Sequence, residues 1–245
     1  MSTSPALRVA HLYPEHLNIY ADRGNMMVLE RRCAVRGLGF ELVGCGLGDP
    51  LPSADLYYLG GGQDRDQSLV ADDLVCRAEG LRAALDAGAV VLGVCGGYQM
   101  LGSSYRGQHG EQIPGVGLVD LVTEAGPTRM IGNIAVECEL AGRAQVVVGF
   151  ENHAGRTWLG PEVQPLGRVV HGNGNNGQDG GEGVLAGNVI GTYIHGPLLP
   201  KNPELADWLI GRALERRVGP VELEPLDDRL AHEAHRVAVA LPATG

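Results

Sequence analysis

Six consecutive residues, Ala89-Val90-Val91-Leu92-Gly93-Val94, are apolar without interruption, and Cys95-Gly96-Gly97 follow at once. A run with no polar alternation suits a strand covered on both faces, and such strands belong to parallel sheets lying between helix layers. The neighbouring segments repeat the alternation. Arg8 to Tyr13 reads as a short buried strand, Asn25 to Val35 as a helix stopped by Gly37, and Phe40 to Val43 as a second strand. Asp55 to Leu59 is a third strand that ends abruptly in Gly60-Gly61-Gly62. A long helical stretch from about Asp66 to Ala87, interrupted near Gly80, places Leu69, Leu74, Leu81 and Leu85 on one face. Strand–helix–strand order with short connections implies right-handed crossovers and a parallel sheet.

From Ile113 the pattern changes. Ile131 to Leu140 and Gln145 to Phe150 read as strands joined by the turn Ala141-Gly142-Arg143, an antiparallel extension of the sheet. Gly172 to Gly183 is low in complexity and reads as a mobile hairpin loop without a packed core. Val189 to Ile194 is a further strand, and Pro203 to Arg216 a helix with Trp208 and Leu209 turned inward. The expected architecture is therefore α/β: one three-layer domain over residues 1–216, mostly parallel, with helices on both faces. A helical tail over 217–245 follows, with Leu230, Ala234, Val237 and Leu241 at helical spacing.

Composition excludes several function classes. Nineteen Lys and Arg against twenty-nine Asp and Glu give a net charge of −10, which repels a phosphate backbone, so nucleic acid is not an expected partner. No apolar run reaches the ~18 residues of a membrane helix, and Met1 to Ala6 has neither the basic start nor the apolar core of a signal peptide. A cytoplasmic protein is expected. The five cysteines form no C-x-x-C pair, which argues against a disulfide framework or a structural zinc site.

Cys95 differs from the other four. A nucleophile at the C-terminal end of a parallel strand, flanked by glycines and followed by a helix, has the layout of a nucleophile elbow. The helix N-terminus favours the thiolate, and the Gly96 N–H points toward a developing oxyanion. A thiol needs a base. His195, after Gly191-Thr192-Tyr193-Ile194, and His153, after Gly149-Phe150-Glu151-Asn152, both sit at strand ends and either could meet Cys95. His11, His16, His109, His171, His232 and His235 read as solvated.

Gly93-Val94-Cys95-Gly96-Gly97-Tyr98-Gln99 together with Gly191-Thr192-Tyr193-Ile194-His195-Gly196 resembles the class I glutamine amidotransferases, in their cobyric-acid-synthase-like branch. His11 to Asn25, Gly60 to Asp64 and Gly149 to His153 extend the resemblance over roughly Arg8 to Arg216. It implies that Cys95 attacks the side-chain amide of L-glutamine and that His195 moves the protons. It also implies that Gly62 and Gly96 supply oxyanion N–H groups and that Gln99 and Arg129 hold the substrate. No cofactor or metal is expected.

One position departs from the pattern: two residues after His195, where the class usually has a carboxylate, stands Pro197, and the nearest downstream acid is Glu204. The resemblance implies that the third member comes from a partner. There is also no G-x-x-x-x-G-K-[ST] loop to bind ATP. The implied partner is a separate Mur-ligase-like ATP-dependent subunit that uses the ammonia to amidate the D-glutamate α-carboxyl of the lipid II stem peptide. Corrinoid amidation and a non-catalytic binding role are the alternatives.

Overall fold

The computed structural model describes residues 5–19 and 23–243, so Tyr20, Ala21 and Asp22 of the N-terminal motif lie outside the described residues. Its elements run β1 (Ala6–Leu12), α1 (Arg23–Val35), β2 (Gly39–Cys45), β3 (Leu56–Leu59), α2 (Asp64–Cys76), α3 (Ala78–Asp86), β4 (Val90–Val94) and α4 (Gly96–Gln99). There follow β5 (Ser104–Arg106), β6 (Gln112–Pro114), β7 (Leu121–Leu140), β8 (Arg143–Leu159), β9 (Gly167–His171), β10 (Gly181–Glu182), β11 (Val184–Ala186) and β12 (Val189–Thr192). A short 3-10 helix (Leu199–Lys201), α5 (Pro203–Val218) and α6 (Arg229–Ala240) complete the chain.

The first sheet has the order β11-β12-β4-β3-β1-β2, parallel throughout except for β11 at its edge. Every residue of β3, β4 and β12 is buried, as the unbroken apolar runs require. The crossovers β1→β2 and β3→β4 run in opposite directions across the sheet. Right-handed connections therefore place α1 on one face and α2 with α3 on the other. The carboxyl ends of β3, β4 and β12 meet at one edge, which is where sites form in such sheets.

The remaining strands form a sheet of their own, ordered β10-β9-β7-β5-β6 with β8 paired to β7, antiparallel except for the parallel pair β5–β7. The β7–β8 hairpin is twenty and seventeen residues long and turns at Ala141 and Gly142, both in the left-handed region (φ 51° and 72°), as a tight two-residue hairpin needs. An isolated bridge between Phe150 and His195 links this sheet to the segment that follows β12 of the first. The register slips between Ala125 and Met130, which bulges the segment carrying Arg129 out of the ladder.

Three sequence expectations are corrected. The long helix breaks at Arg77 rather than near Gly80: Arg77 bonds back to Asp73 (2.6 Å) and to the Gly46 carbonyl (2.7 Å), while a Cβ on Gly80 would press within 2.9 Å of Leu51. His11 is buried, with its ring edge-on to Tyr58, and burial lowers its pKa. Gly172 to Gly183 is not a loose loop. Asn175 exchanges two hydrogen bonds with Gly183 (2.8 and 2.9 Å) and accepts one from Tyr98 Oη (3.0 Å), and Asn176 donates to the Thr157 carbonyl (3.0 Å). Five of its glycines have positive φ, so the composition serves a fixed backbone path. Polar groups that satisfy one another, rather than apolar burial, hold this segment.

Candidate active site

Cys95 sits between β4 and α4 with φ 52° and ψ −108°, a conformation that an L-residue keeps only where its surroundings impose it. The surroundings are explicit. Cys95 N–H donates to the Thr192 carbonyl (2.8 Å) and Gly97 N–H to the Gly60 carbonyl (3.0 Å). A Cβ on Gly97 would collide with the carbonyl of Leu59, and one on Gly96 would come within 2.8 Å of both Gly62 N and Gly62 O. The loop after β3 is thus closed tightly onto the elbow, which brings the backbones of Gly62 and Gly96 side by side.

His195 follows β12, whose Thr192 is in register with Val94 of β4, so Cys95 and His195 leave adjacent parallel strands at the same edge. Its backbone is fixed by reciprocal hydrogen bonds with Phe150 (2.9 and 3.1 Å). The imidazole is buried and its pKa is pushed down to about 4, first by burial and then by His153 and Arg129, against the opposing charge of Glu151. At neutral pH the ring is therefore uncharged, the state in which it can accept a thiol proton.

A cleft of about 490 Å³ opens over this edge and is lined by Gly62, Gln67, Cys95, Gln99, Arg129, Asn152 and His153. Gln99 lines it and is also part of its frame: its Oε1 accepts from Gln67 (2.9 Å) and its Nε2 donates to Tyr193 Oη (3.2 Å). That hydroxyl continues a chain through Thr157 (2.7 Å) to Thr123 (2.8 Å). Arg129 reaches the cleft from the β7 bulge. Its guanidinium donates to the Asn152 side chain and carbonyl, both at 2.7 Å, which fixes its orientation.

His153, the other candidate base, stacks on Tyr193 with ring centroids 3.5 Å apart, and its Nδ1 lies 2.8 Å from the Gly155 carbonyl. Its Nε2 is 3.6 Å from Glu151. Glu151 is fully buried and accepts from Asn173 N and Nδ2 (both 2.7 Å) and Gly174 N (3.0 Å). Burial raises its pKa, but His153 and these donors together hold the carboxylate below its usual value. Glu204 is engaged elsewhere, 2.7 Å from His232 of the tail.

Sequence reading missed Gln67, Glu151, Asn152 and Tyr193. Gln67 is a buried polar residue on the apolar side of a helix, the one local sign of a role; the others are visible only once their partners are in place. Among the described residues no cluster of three or more metal-type ligands occurs.

Two solved glutamine amidotransferase structures superpose on the chain. One has a TM-score of 0.54 at 16% identity, covering 83% of this chain and 98% of that one. The other, from Thermotoga maritima, has a TM-score of 0.53 at 18% identity, covering 95% and 93%. They establish the fold. In sequence, the chain is 37% identical over 235 residues to "Lipid II isoglutaminyl synthase (glutamine-hydrolyzing) subunit GatD" of Staphylococcus aureus, covering 95% of each protein. It is 38% identical to the protein of that name from Streptococcus pneumoniae, covering 93% of this chain and 88% of that one. A cobyric acid synthase from Pelotomaculum thermopropionicum is 36% identical, but over 69% of this chain and only 34% of its own length. The model of the CobB/CobQ-like glutamine amidotransferase domain matches residues 8–203. With the elbow, the second strand-end residue and the fold all in agreement, the chain belongs to the CobB/CobQ-like glutamine amidotransferases and is a glutamine-hydrolysing enzyme.

Proposed function

We propose that this chain is the glutaminase subunit of a lipid II isoglutaminyl synthase, paired with a separate MurT-like, Mur-ligase-like ATP-dependent subunit. The observation that carries the reading is the end-to-end similarity to the GatD subunits, 95% of both chains for the Staphylococcus aureus protein. In the Pelotomaculum cobyric acid synthase, by contrast, the matched part is about a third of a longer protein, so corrinoid amidation fits less well.

The chemistry follows from the site. His195, neutral and buried, accepts the Cys95 thiol proton as sulfur attacks the amide carbon of glutamine. The tetrahedral oxyanion faces the adjoining backbones of Gly62 and Gly96. Collapse breaks the C–N bond, His195 returns the proton to the leaving nitrogen, and ammonia departs, leaving a glutamyl thioester. Water, deprotonated by His195, attacks the thioester and releases glutamate, which regenerates the thiol. Arg129, oriented by Asn152, holds the substrate's α-carboxylate, and Gln99 braces the wall beside it. The ammonia amidates the D-glutamate α-carboxyl of the lipid II stem peptide on the partner, and a carboxylate of that partner completes the triad at His195.

The test is ammonia release and lipid II amidation by the two co-purified subunits with ATP and glutamine. Cys95→Ala is expected to lower glutamine-driven amidation by about a thousandfold or more. Free ammonium should still support amidation by the variant complex. A Cys95→Ala complex that still uses glutamine would refute the reading.

A further inference from the structure

Helix α6 is attached to the domain through polar groups and turns its apolar side to water. Asp228, at its N-terminus, accepts two hydrogen bonds from Arg32 (2.7 and 2.8 Å), a guanidinium that also grips Asp207 of α5. His232 lies against Glu204, His235 Nδ1 is 2.8 Å from the Lys201 carbonyl, and Asn133 Nδ2 donates to the Pro242 carbonyl (3.0 Å) just past the helix. Meanwhile Leu230 and Val237, two turns apart on one side of the helix, and Leu241 just past its end are 88%, 49% and 43% exposed, and no residue of α6 is buried. An amphipathic helix ordinarily turns its apolar stripe to the core. Here the half-buried Arg32–Asp228 ion pair and the polar contacts of His232 and His235 fix the helix and leave that stripe outward, which is how a binding surface is preorganised.

Two observations identify what covers it. The first is position. The helix packs on the 3-10 helix Leu199–Lys201, shortly after His195. Its far end is bonded to Asn133, beside the exposed Ile131, whose strand partner is Asn152 of the glutamine cleft. The second is distribution. The family model ends at residue 203, and the cobyric acid synthases, in which the match is 27–39% of a longer protein, cover 54–77% of this chain. The GatD subunit of Staphylococcus aureus matches 95% of it, which reaches into α6 wherever the match begins. A tail shared with a separate subunit and lying outside the common domain suits attachment to a second chain.

We propose that the outward apolar face of α6, centred on Leu230 and Val237, docks the separate ATP-dependent ligase subunit beside the mouth of the glutamine cleft. This rests on the functional reading above. The experiment measures binding of the purified Mur-ligase-like subunit to this chain by sedimentation, for wild type and for the double variant Leu230→Glu/Val237→Glu. Both positions are exposed, so the variant should melt within a few degrees of wild type, and its affinity should fall by about a hundredfold or more. In parallel, hydrogen exchange of the wild-type chain should slow over residues 229–241 when the ligase subunit binds. Equal binding by wild type and variant, or no protection of α6 in the wild-type complex, overturns the docking site while leaving the functional reading intact. No complex between the wild-type subunits overturns both. Self-association of the wild type that the double variant abolishes assigns the face to a second copy and overturns the proposal.

Discussion

Cys95 pays for its position with a backbone conformation that costs about 1–3 kcal/mol, held by the Thr192 and Gly60 carbonyls and by glycines with no room for a Cβ. That strain is local, and the Gly-Val-Cys-Gly-Gly spacing announces it in the sequence. His195 was legible as a polar residue ending an apolar strand, but so was His153, and only the family resemblance of Gly191 to Gly196 separated the two. Gln67, Glu151 and Asn152 were not, because each acts through a partner that is distant in sequence. Asn152 shows the consequence. It receives both hydrogen bonds of Arg129, one on its side-chain amide and one on its backbone carbonyl, so Asn152→Ala removes the first and leaves the guanidinium held by the carbonyl alone. The variant should raise KM for glutamine by about tenfold, the scale of one charge-assisted hydrogen bond, while kcat changes little. Steady-state glutaminase kinetics of the complex decide this, and a fall in kcat at unchanged KM would contradict it.

At the scale of elements, apolar periodicity located the strands and helices of the first sheet closely, because burial on both faces leaves a continuous apolar signal. It was weakest in the second sheet, where β7 begins at Leu121, well before the expected Ile131. The exposed face and the bulge near Arg129 dilute the alternation there. The Gly172 to Gly183 segment misled for a different reason: low complexity signals disorder only when the polar groups have no partners, and here Asn175 bridges Tyr98 and Gly183. Asn175→Ala should therefore destabilise the protein by about 1–3 kcal/mol, since it strands buried donors and acceptors. Urea unfolding of the variant against wild type measures it, and a difference near zero would restore the mobile-loop view.

For the whole molecule, buried titratable groups limit stability on both sides of neutrality. His11 and His195 have pKa values below 6.5, so below that pH the unfolded chain binds protons that the folded chain refuses, and stability falls with acid. Glu182 is the opposite case. Buried beneath β12, it accepts from Tyr193 N (2.7 Å) and from the Thr192 hydroxyl, and burial pushes its pKa up to about 8. Its proton is kept in the folded state and lost by the unfolded chain above pH 4.5, so its contribution declines as pH rises from there to about 8. Glu182→Gln, which cannot ionise, should match wild type near pH 5 and exceed it at pH 8.5 by a few kcal/mol, read by urea unfolding at the two pH values. The parallel core and the elbow at Cys95 could be read from residues alone, because apolar runs and glycines act on their immediate neighbours, and the base was narrowed to two strand-end histidines, His153 and His195. The bracing of Gln99 by Gln67 and Tyr193, the burial of Glu151 under Asn173, and the outward face of α6 set by Arg32 and Asp228 could not. Each depends on polar groups meeting across long stretches of chain, and only packing of the complete fold brings those partners within hydrogen-bond reach.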